Sequence, residues 1–566
     1  MSRRWIFVSS VLIVGIFFLV VCTKKEAQKF DILITNGEIV DGTGSPGFAG
    51  DIGIKGDTIA EIGDLSGSRA EKTIDAQGLV VSPGFIDMHT HCDSGLGTID
   101  SNANLNYLTQ GVTTVVTGNC GGSISLDATE TKAKWEKQGI GTNAILLVGH
   151  GNIRKEVMGI EPREATQEEI KKMKEILRQS METGAWGMSS GLQYVPGRFA
   201  PTEEMIELVK VVAEYGRIYT SHQRSEEKEM VEATAETIKI GKETGARVNT
   251  AHIKAGGKSN WGKMKEAGRL INQAREQGLF MTADMYPYKY AGVSSISDWF
   301  NIPDDMEPLA ELRKKRRERK LSEEERDKLK EKYAEELAKA LSDPDKREKI
   351  KKLTAEGHPH KSNFAVLYGW DGCSVVFAKQ NTEAIGRIVS ELAQEQDKDP
   401  FDVAADLFIE EKWGVLSSVD TMSEDDMIYA MNQEWQMFSS DGSAVSIKKS
   451  DEPHPGHPRS FGSFTKVLRK YVREDKILTL EKAIKKMSSL PASLLQMKDR
   501  GVLASGNKAD IVIFDPETVQ DNATYANAQQ YSSGIKYVIV NGKLTIENEQ
   551  YTNVLNGKLL LLTENK

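Results

Sequence analysis

Cysteine is scarce in this chain of 566 residues. There are four, and once Cys22 is set aside with the N-terminal segment, Cys92, Cys120 and Cys373 remain, an odd number without framework spacing. Disulfides are therefore not what holds the protein together. An excess of one charge is missing too: 73 Lys and Arg are interspersed with 82 Asp and Glu, leaving a net charge of −9. That balance argues against nucleic acid as a partner. Histidine is sparse as well, nine in all, yet four of them belong to one constellation.

The N-terminus carries a targeting signal: Arg3-Arg4, an apolar run from Trp5 to Val21, then Cys22. Residues 1–22 are set aside from the fold, and general secretion ranks ahead of a twin-arginine route because the run is so apolar. Leu19-Val20-Val21-Cys22 resembles a bacterial lipobox, although Val21 stands where a small residue is usual. An uncleaved signal anchor is the alternative, since 17 residues are at the lower limit for a span. Both readings put the body of the protein outside the cytoplasm, periplasmic or membrane-anchored, with membrane contact only through this segment.

At this length a barrel-sized domain with a smaller accessory is expected. Strand-like alternation runs from Phe30 to Asp75, with turns expected at Asn36-Gly37 and Asp41-Gly42, and similar text returns at Ala509–Phe514 and Tyr537–Lys543. The two ends, 29–83 plus 495–566, are expected to form one small β-sandwich. Between them, over 84–494, apolar runs alternate with helical stretches. The runs are Leu79 to Met88, Val112 to Thr117, Ala144 to Val148, Trp186 to Ser190, Ile218 to Ser221, Val248 to Ala251, Phe280 to Asp284 and Met437 to Ser440. Eight such runs with polar residues at their ends predict an α/β (β/α)₈ TIM-type barrel. Phe364 to Tyr368 is a further candidate strand outside these eight. The charged stretch over 300–360, with Arg313-Lys314-Lys315-Arg316-Arg317 followed by mixed Glu and Lys, reads as a solvated helical insertion before the last strand and a candidate lid.

Six residues follow those runs: His89, His91, Cys120, His222, His252 and Asp441. In an extended chain His89 and His91 point to one face and can grip one cation. Imidazole and thiolate suit Zn²⁺, and the glycines of Thr117-Gly118-Asn119-Cys120-Gly121-Gly122 let a sulfur approach without bulk. Taken alone, Cys120 could be a buried thiol, Asp441-Gly442 an Asx turn, and each histidine a core residue. Together they point to a metal-dependent hydrolase, with Asp441 able to take a proton from bound water and return it to a leaving nitrogen.

These residues, with Gly149-His150-Gly151-Asn152-Ile153-Arg154, Ser190-Gly191-Leu192-Gln193-Tyr194-Val195-Pro196-Gly197, Met285-Tyr286-Pro287-Tyr288 and His457-Pro458-Arg459, resemble the D-aminoacylase (N-acyl-D-amino-acid deacylase) branch of the amidohydrolase superfamily. The resemblance runs from about residue 30 to 550. It implies a tight zinc on Cys120, His222 and His252, and a weaker second position reached by His89, His91, Cys120 and Asp441. It makes Asp441 the catalytic base and acid, Arg459 the clamp for the substrate carboxylate, and Lys254, Tyr194 and Tyr286 the contacts to the scissile amide or its oxyanion. The substrate implied is a small N-acyl-D-amino acid, cleaved by metal-bound water to a carboxylate and a free D-amino acid. The run Lys289–Ser294 is one residue longer than the branch's usual text, so a serine contact there is not carried over.

A D-amino-acid dipeptidase needs the same attack on an amide. A hydantoinase or dihydroorotase-like enzyme resembles a site bridged by a carboxylated lysine on the fourth strand, and Gly184–Ser190 holds no lysine. A non-catalytic binding protein on the same scaffold is the third alternative. Nothing in the residues themselves distinguishes D from L substrates, and the oligomeric state is not legible.

Overall fold

The computed structural model describes residues 29–316, 323–358, 364–412, 414–420, 422–447 and 454–562. The targeting segment at 1–22 lies outside the described residues.

Eight parallel strands form a barrel. They are Phe85–Asp87, Val112–Thr117, Asn143–Leu146 continuing into Val148–Gly149, Gly187–Gly191, Ile218–His222, Arg247–Thr250, Met281–Met285 and Gln436–Phe438. Each pairs in parallel with its neighbour, as in Val115↔Ala144, Ser190↔Ser221 and Asp284↔Met437. The ring closes just beyond the last strand: Asp441 N–H donates to His89 O at 2.9 Å, His91 N–H donates to Gly442 O at 2.7 Å, and Thr90 bridges Gly442. That closure joins chain segments some 350 residues apart. It sets the first pair of histidines beside the last strand end.

The surrounding helices follow from local signals. Thr166 caps Gln167–Glu182 through a capping box with Glu169, and Met173, Leu177, Ser180 and Met181 recur on its buried face. At the base of the barrel the C-terminal residues act as a plug. Leu560 and Leu562 pack against Ile86, Val116 and Ile145, and Trp186 Nε1–H donates to Leu560 O at 2.7 Å.

Both termini share one nine-stranded sheet. Val80–Pro83 joins them, parallel to Lys29–Ile39 on one side and antiparallel to Ile511–Phe514 on the other. Ile34, Ile52, Ile74, Ile511 and Ile539 meet in one core, so the sheet folds over on itself. The turn expected at Asn36-Gly37 is instead a β-bulge inside Lys29–Ile39. Asn36 takes φ 60°, while the ladder to Phe48–Lys55 continues on both sides of it. Gly37 is required there, because an added Cβ would sit 2.5 Å from Val81 Cγ2.

The insertion is larger than its charged stretch. It begins at Tyr290–Ser295, which with Cys373–Phe377 and Leu416–Asp420 forms a three-stranded antiparallel sheet. Its own core contains Trp299, Phe300, Leu337, Val375, Phe401 and Phe408. The helix Glu323–Ser342 is not solvated all round, since it buries Tyr333, Ala334, Leu337 and Leu341 at helical spacing. Phe364–Tyr368 is a helix, not a strand.

Candidate metal centre

All six residues singled out above lie just after or at the ends of barrel strands, at the C-terminal mouth where such barrels carry their chemistry. Three of them have left-handed backbones: Cys120 at φ 52°, His252 at φ 32° and Asp441 at φ 50°. Each such residue costs on the order of 1–3 kcal/mol and persists only where its surroundings hold it. Here they do. His252 N–H donates to Asp284 Oδ1 at 2.9 Å, and Ser440 N–H donates to Asp87 at 3.1 Å. The Cys120 loop must carry glycine, because a Cβ on Gly118 (φ 78°) would lie 1.9 Å from Leu147 O and one on Gly121 would lie 2.7 Å from Gly191 N.

The six side chains gather in one cluster at the mouth. Cys120 Sγ lies 3.3 Å from His89 Nε2, 3.4 Å from His252 Nε2 and 3.5 Å from His222 Nδ1. Asp441 Oδ1 is 3.1 Å from His91 Nε2 and 3.6 Å from His89 Nε2. Three overlapping groups, His89/His91/Cys120, Cys120/His222/His252 and His89/His252/Asp441, each have their donor atoms within 4.8 Å of one another.

The outer nitrogens of the rings decide what the inner ones can do. His222 Nε2–H donates to Gln193 Oε1 at 3.0 Å, and His252 Nδ1 lies 2.8 Å from Glu226 Oε1, a carboxylate that only accepts. The ring of His222 therefore turns the lone pair of Nδ1 inward, 2.9 Å from His252 Nε2, while His252 Nδ1 has Lys254 Nζ at 2.9 Å beside it as well as Glu226. With its proton on Nδ1 toward Glu226, His252 would offer the lone pair of Nε2 to a cation shared with His222. Burial pushes His222 down to about 3 and His89 well below its ordinary value, so both rings are neutral and free to ligate at neutral pH. Burial, then the charges of Asp441 and Glu226, push the Cys120 thiol well up. A cation beside the sulfur reverses that balance. Imidazole, thiolate and carboxylate in this arrangement fit a divalent metal of the zinc type.

Around the cluster is a cavity of about 290 Å³ whose walls include Tyr194, Lys254, Tyr286 and Arg459, with Phe364, Tyr368 and Val419 from the insertion. Lys254 is buried, with Nζ 2.5 Å from Glu226 Oε1 and 2.9 Å from His252 Nδ1. Burial alone would lower its pKa, but Glu226 outweighs it and keeps the ammonium. The Tyr194 ring lies 4.4 Å from that of His222, and Tyr286 is buried between Lys254 and Arg459, with the two cations 5.6 and 5.3 Å from its ring centre. Arg459, expected to await a substrate carboxylate, donates from Nη1 to Asp441 Oδ2 at 2.6 Å. Burial raises the pKa of Asp441, but Arg459 and then the histidines hold it well below the carboxylate range.

Several residues of this neighbourhood escaped the reading of the sequence. Asp87 of the first strand, which burial pushes to about 8, and Asp284 of the seventh bind the loop after the last strand through Ser440 and Ser439. Glu226, Glu227 and Gln193 sit behind His222 and His252. Asp87 stands two residues before His89 and was open to notice, whereas no spacing rule singles out an acidic pair in a loop.

The fold and the donor cluster together define a metal-dependent amidohydrolase. The amidohydrolase family model matches residues 72–283 and 435–546, leaving out a stretch that contains the insertion. A D-aminoacylase of Alcaligenes xylosoxydans xylosoxydans is 31% identical over 96% of this chain and 99% of its own. A crystal structure of N-acyl-D-glutamate deacylase from Bordetella bronchiseptica, complexed with zinc and a phosphonate inhibitor, superposes with a TM-score of 0.72 at 30% identity, covering 94% of this chain and all of the other. A D-aminoacylase structure addressing one-metal activation and second-metal attenuation at a binuclear metal centre has a TM-score of 0.70 at 29% identity, with 94% and 100% coverage. The chain belongs to the amidohydrolase family. Within it, its place is the D-aminoacylase branch.

Proposed function

We propose that this enzyme hydrolyses N-acyl-D-amino acids to a carboxylate and a free D-amino acid. The observation that carries the reading is the meeting of Cys120 Sγ, His222 Nδ1 and His252 Nε2 within 3.5 Å of one another at the floor of a small cavity. These three would hold one Zn²⁺ tightly, and His89, His91, Cys120 and Asp441 would form a second, weaker position. Zinc supplies Lewis acidity there, lowering the pKa of water toward neutrality and polarising a carbonyl.

The chain's own groups do the rest. Asp441, ionised and 8% exposed, takes the proton of the attacking water and returns it to the leaving nitrogen. Lys254 and Tyr286 face the cavity as donors to the developing oxyanion, in a setting dry enough to make each hydrogen bond count. Tyr194, at the mouth over His222, borders the acyl group. Arg459 turns its planar fork from Asp441 to the substrate's α-carboxylate.

The matching test is hydrolysis of paired N-acetyl-D and N-acetyl-L amino acids by zinc-loaded enzyme. Preference for the D series is expected, and preference for the L series would overturn the substrate assignment while leaving the fold untouched. The same reading takes the enzyme as exported and tethered through its N-terminal segment. Arg3-Arg4, the apolar run and Cys22 support it, and the mass of the mature N-terminus decides between a lipidated Cys22 and an intact anchor.

A further inference from the structure

One buried carboxylate near the site has no part in the chemistry above. Glu227 is 7% exposed and is not among the donor groups that could hold the ion. Its Oε1 accepts from Gln193 Nε2–H at 2.9 Å, and its Oε2 accepts from Ser225 Oγ–H and from Glu226 N–H, both at 3.2 Å. The hydroxyl of Tyr368 donates to the same carboxylate. At its other end Gln193 accepts from His222 Nε2–H at 3.0 Å.

Polarity runs one way along this chain. Burial and then Glu226 raise the pKa of Glu227, and the donors Gln193, Tyr368 and Ser225 oppose them. As an ionised carboxylate it has no proton to give, so Gln193 turns its NH₂ toward Glu227 and its oxygen toward His222, the orientation that the two contacts at 2.9 and 3.0 Å show. That oxygen requires the imidazole proton on Nε2. The lone pair of Nδ1 is then left facing Cys120 and His252, as metal binding at that nitrogen demands. Tyr368 comes from the helix Phe364–Tyr368 of the insertion, and its ring lies close against the backbone of Gly256, where an added Cβ would be 3.4 Å from Cε1.

We propose that Glu227 is a positioning residue that sets the tautomer of His222 through Gln193, and that Tyr368 couples this setting to the docked insertion. The inference rests on the preceding reading only in taking His222 as a metal ligand. A rearrangement of the insertion that withdraws Tyr368 removes one of the donors that hold Glu227, so docking is felt at the metal without any insertion residue touching it.

The test is zinc affinity of the purified full chain, measured by competition with a chelating indicator, in Glu227→Gln and Tyr368→Phe. In Glu227→Gln the new amide can donate as well as accept, so Gln193 is free to flip and the imidazole proton is no longer directed. Zinc binding should weaken by roughly 10- to 100-fold, the usual effect of losing an outer partner of a ligating histidine. Excess zinc should restore kcat with KM unchanged, which a general loss of structure would not allow. Tyr368→Phe, which removes one hydroxyl at the edge of the insertion, should weaken zinc binding by a smaller factor. Wild-type zinc affinity in Glu227→Gln, or turnover that excess zinc fails to restore, overturns the role of Glu227. Wild-type affinity in Tyr368→Phe overturns the coupling to the insertion. If the unaltered protein binds zinc yet cleaves no N-acyl-D-amino acid, the functional reading fails while the affinity comparison still decides the relay.

Discussion

Arg459 and Asp441 form an ion pair at 2.6 Å across the mouth of the barrel, with 17% and 11% of their side chains exposed. The group proposed to bind the substrate's carboxylate thus holds the group proposed to move the proton. A substrate carboxylate entering the cavity competes with Asp441 for the same guanidinium, so binding and release of the base occur together.

Different kinetic signatures follow for the two partners. Asp441→Asn should lower kcat by about 10²–10⁴-fold, the range for a positioned acid–base group, while one zinc per chain is retained on the other ligands. Arg459→Met should lower kcat/KM by about 10- to 150-fold, as expected for a charged hydrogen bond of roughly 1.5–3 kcal/mol, and the change should lie mainly in KM. Steady-state kinetics alongside metal analysis checks both. Full activity in Asp441→Asn would remove it from the chemistry.

Gly118→Ala tests the loop that presents the sulfur. The position has φ 78°, and an added Cβ would lie 1.9 Å from Leu147 O, so the loop must shift and carry Cys120 with it. The variant should lose bound zinc at concentrations that saturate the unaltered enzyme. A similar change at Gly159, whose Cβ would meet nothing within 4 Å, should leave zinc binding unaltered.

Stability of the metal-free protein should fall as the solution is acidified. His222 is buried neutral, held at about 3 in the fold by burial, against roughly 6.5 when unfolded. Between those values the unfolded chain binds the extra proton, so acid favours unfolding, by roughly 1.4 kcal/mol per pH unit for each such histidine. His89, depressed in the same direction, steepens the slope. Denaturant midpoints from about pH 7 down to 4 measure it, and a flat profile would contradict the neutral, ligand-ready rings.

A second buried cluster has a structural role. Arg154 and His150 both bind Glu204 Oε1, at 3.0 and 2.9 Å with no side-chain exposure, and Arg154 also donates to Pro196 O at 3.1 Å, two residues beyond Tyr194. Arg154→Ala leaves Glu204 buried without its cation and should destabilise the fold by about 3–5 kcal/mol. Urea unfolding checks the magnitude, and a loss below about 1 kcal/mol, the level of a surface pair, would show that the cluster does not anchor this loop.

Much of this architecture was open to reading because each barrel strand is a short apolar run ending in a polar residue. Val112–Thr117 before Cys120 and Ile218–His222 are examples, and parallel strands buried on both faces leave no other pattern. The sizes of the parts were harder. Cys373–Phe377 and Leu416–Asp420 are five residues each and pair only with other strands of the insertion, so nothing local marked that unit as having its own sheet. Asn36-Gly37 has the composition of a hairpin turn, and only the ladder continuing past it makes it a bulge. Glu226, Glu227 and the grip of Arg459 on Asp441 are relationships between distant loops. They exist only once the barrel has closed.

The sulfur of Cys120 is the pivot of the whole site, and X-ray absorption at the zinc edge of the loaded enzyme examines it directly. One sulfur neighbour at about 2.3 Å with imidazole nitrogens at about 2.0–2.1 Å is expected, and the sulfur signal should vanish in Cys120→Ser. A first shell of nitrogen and oxygen alone in the unaltered enzyme would contradict a metal held by Cys120, His222 and His252.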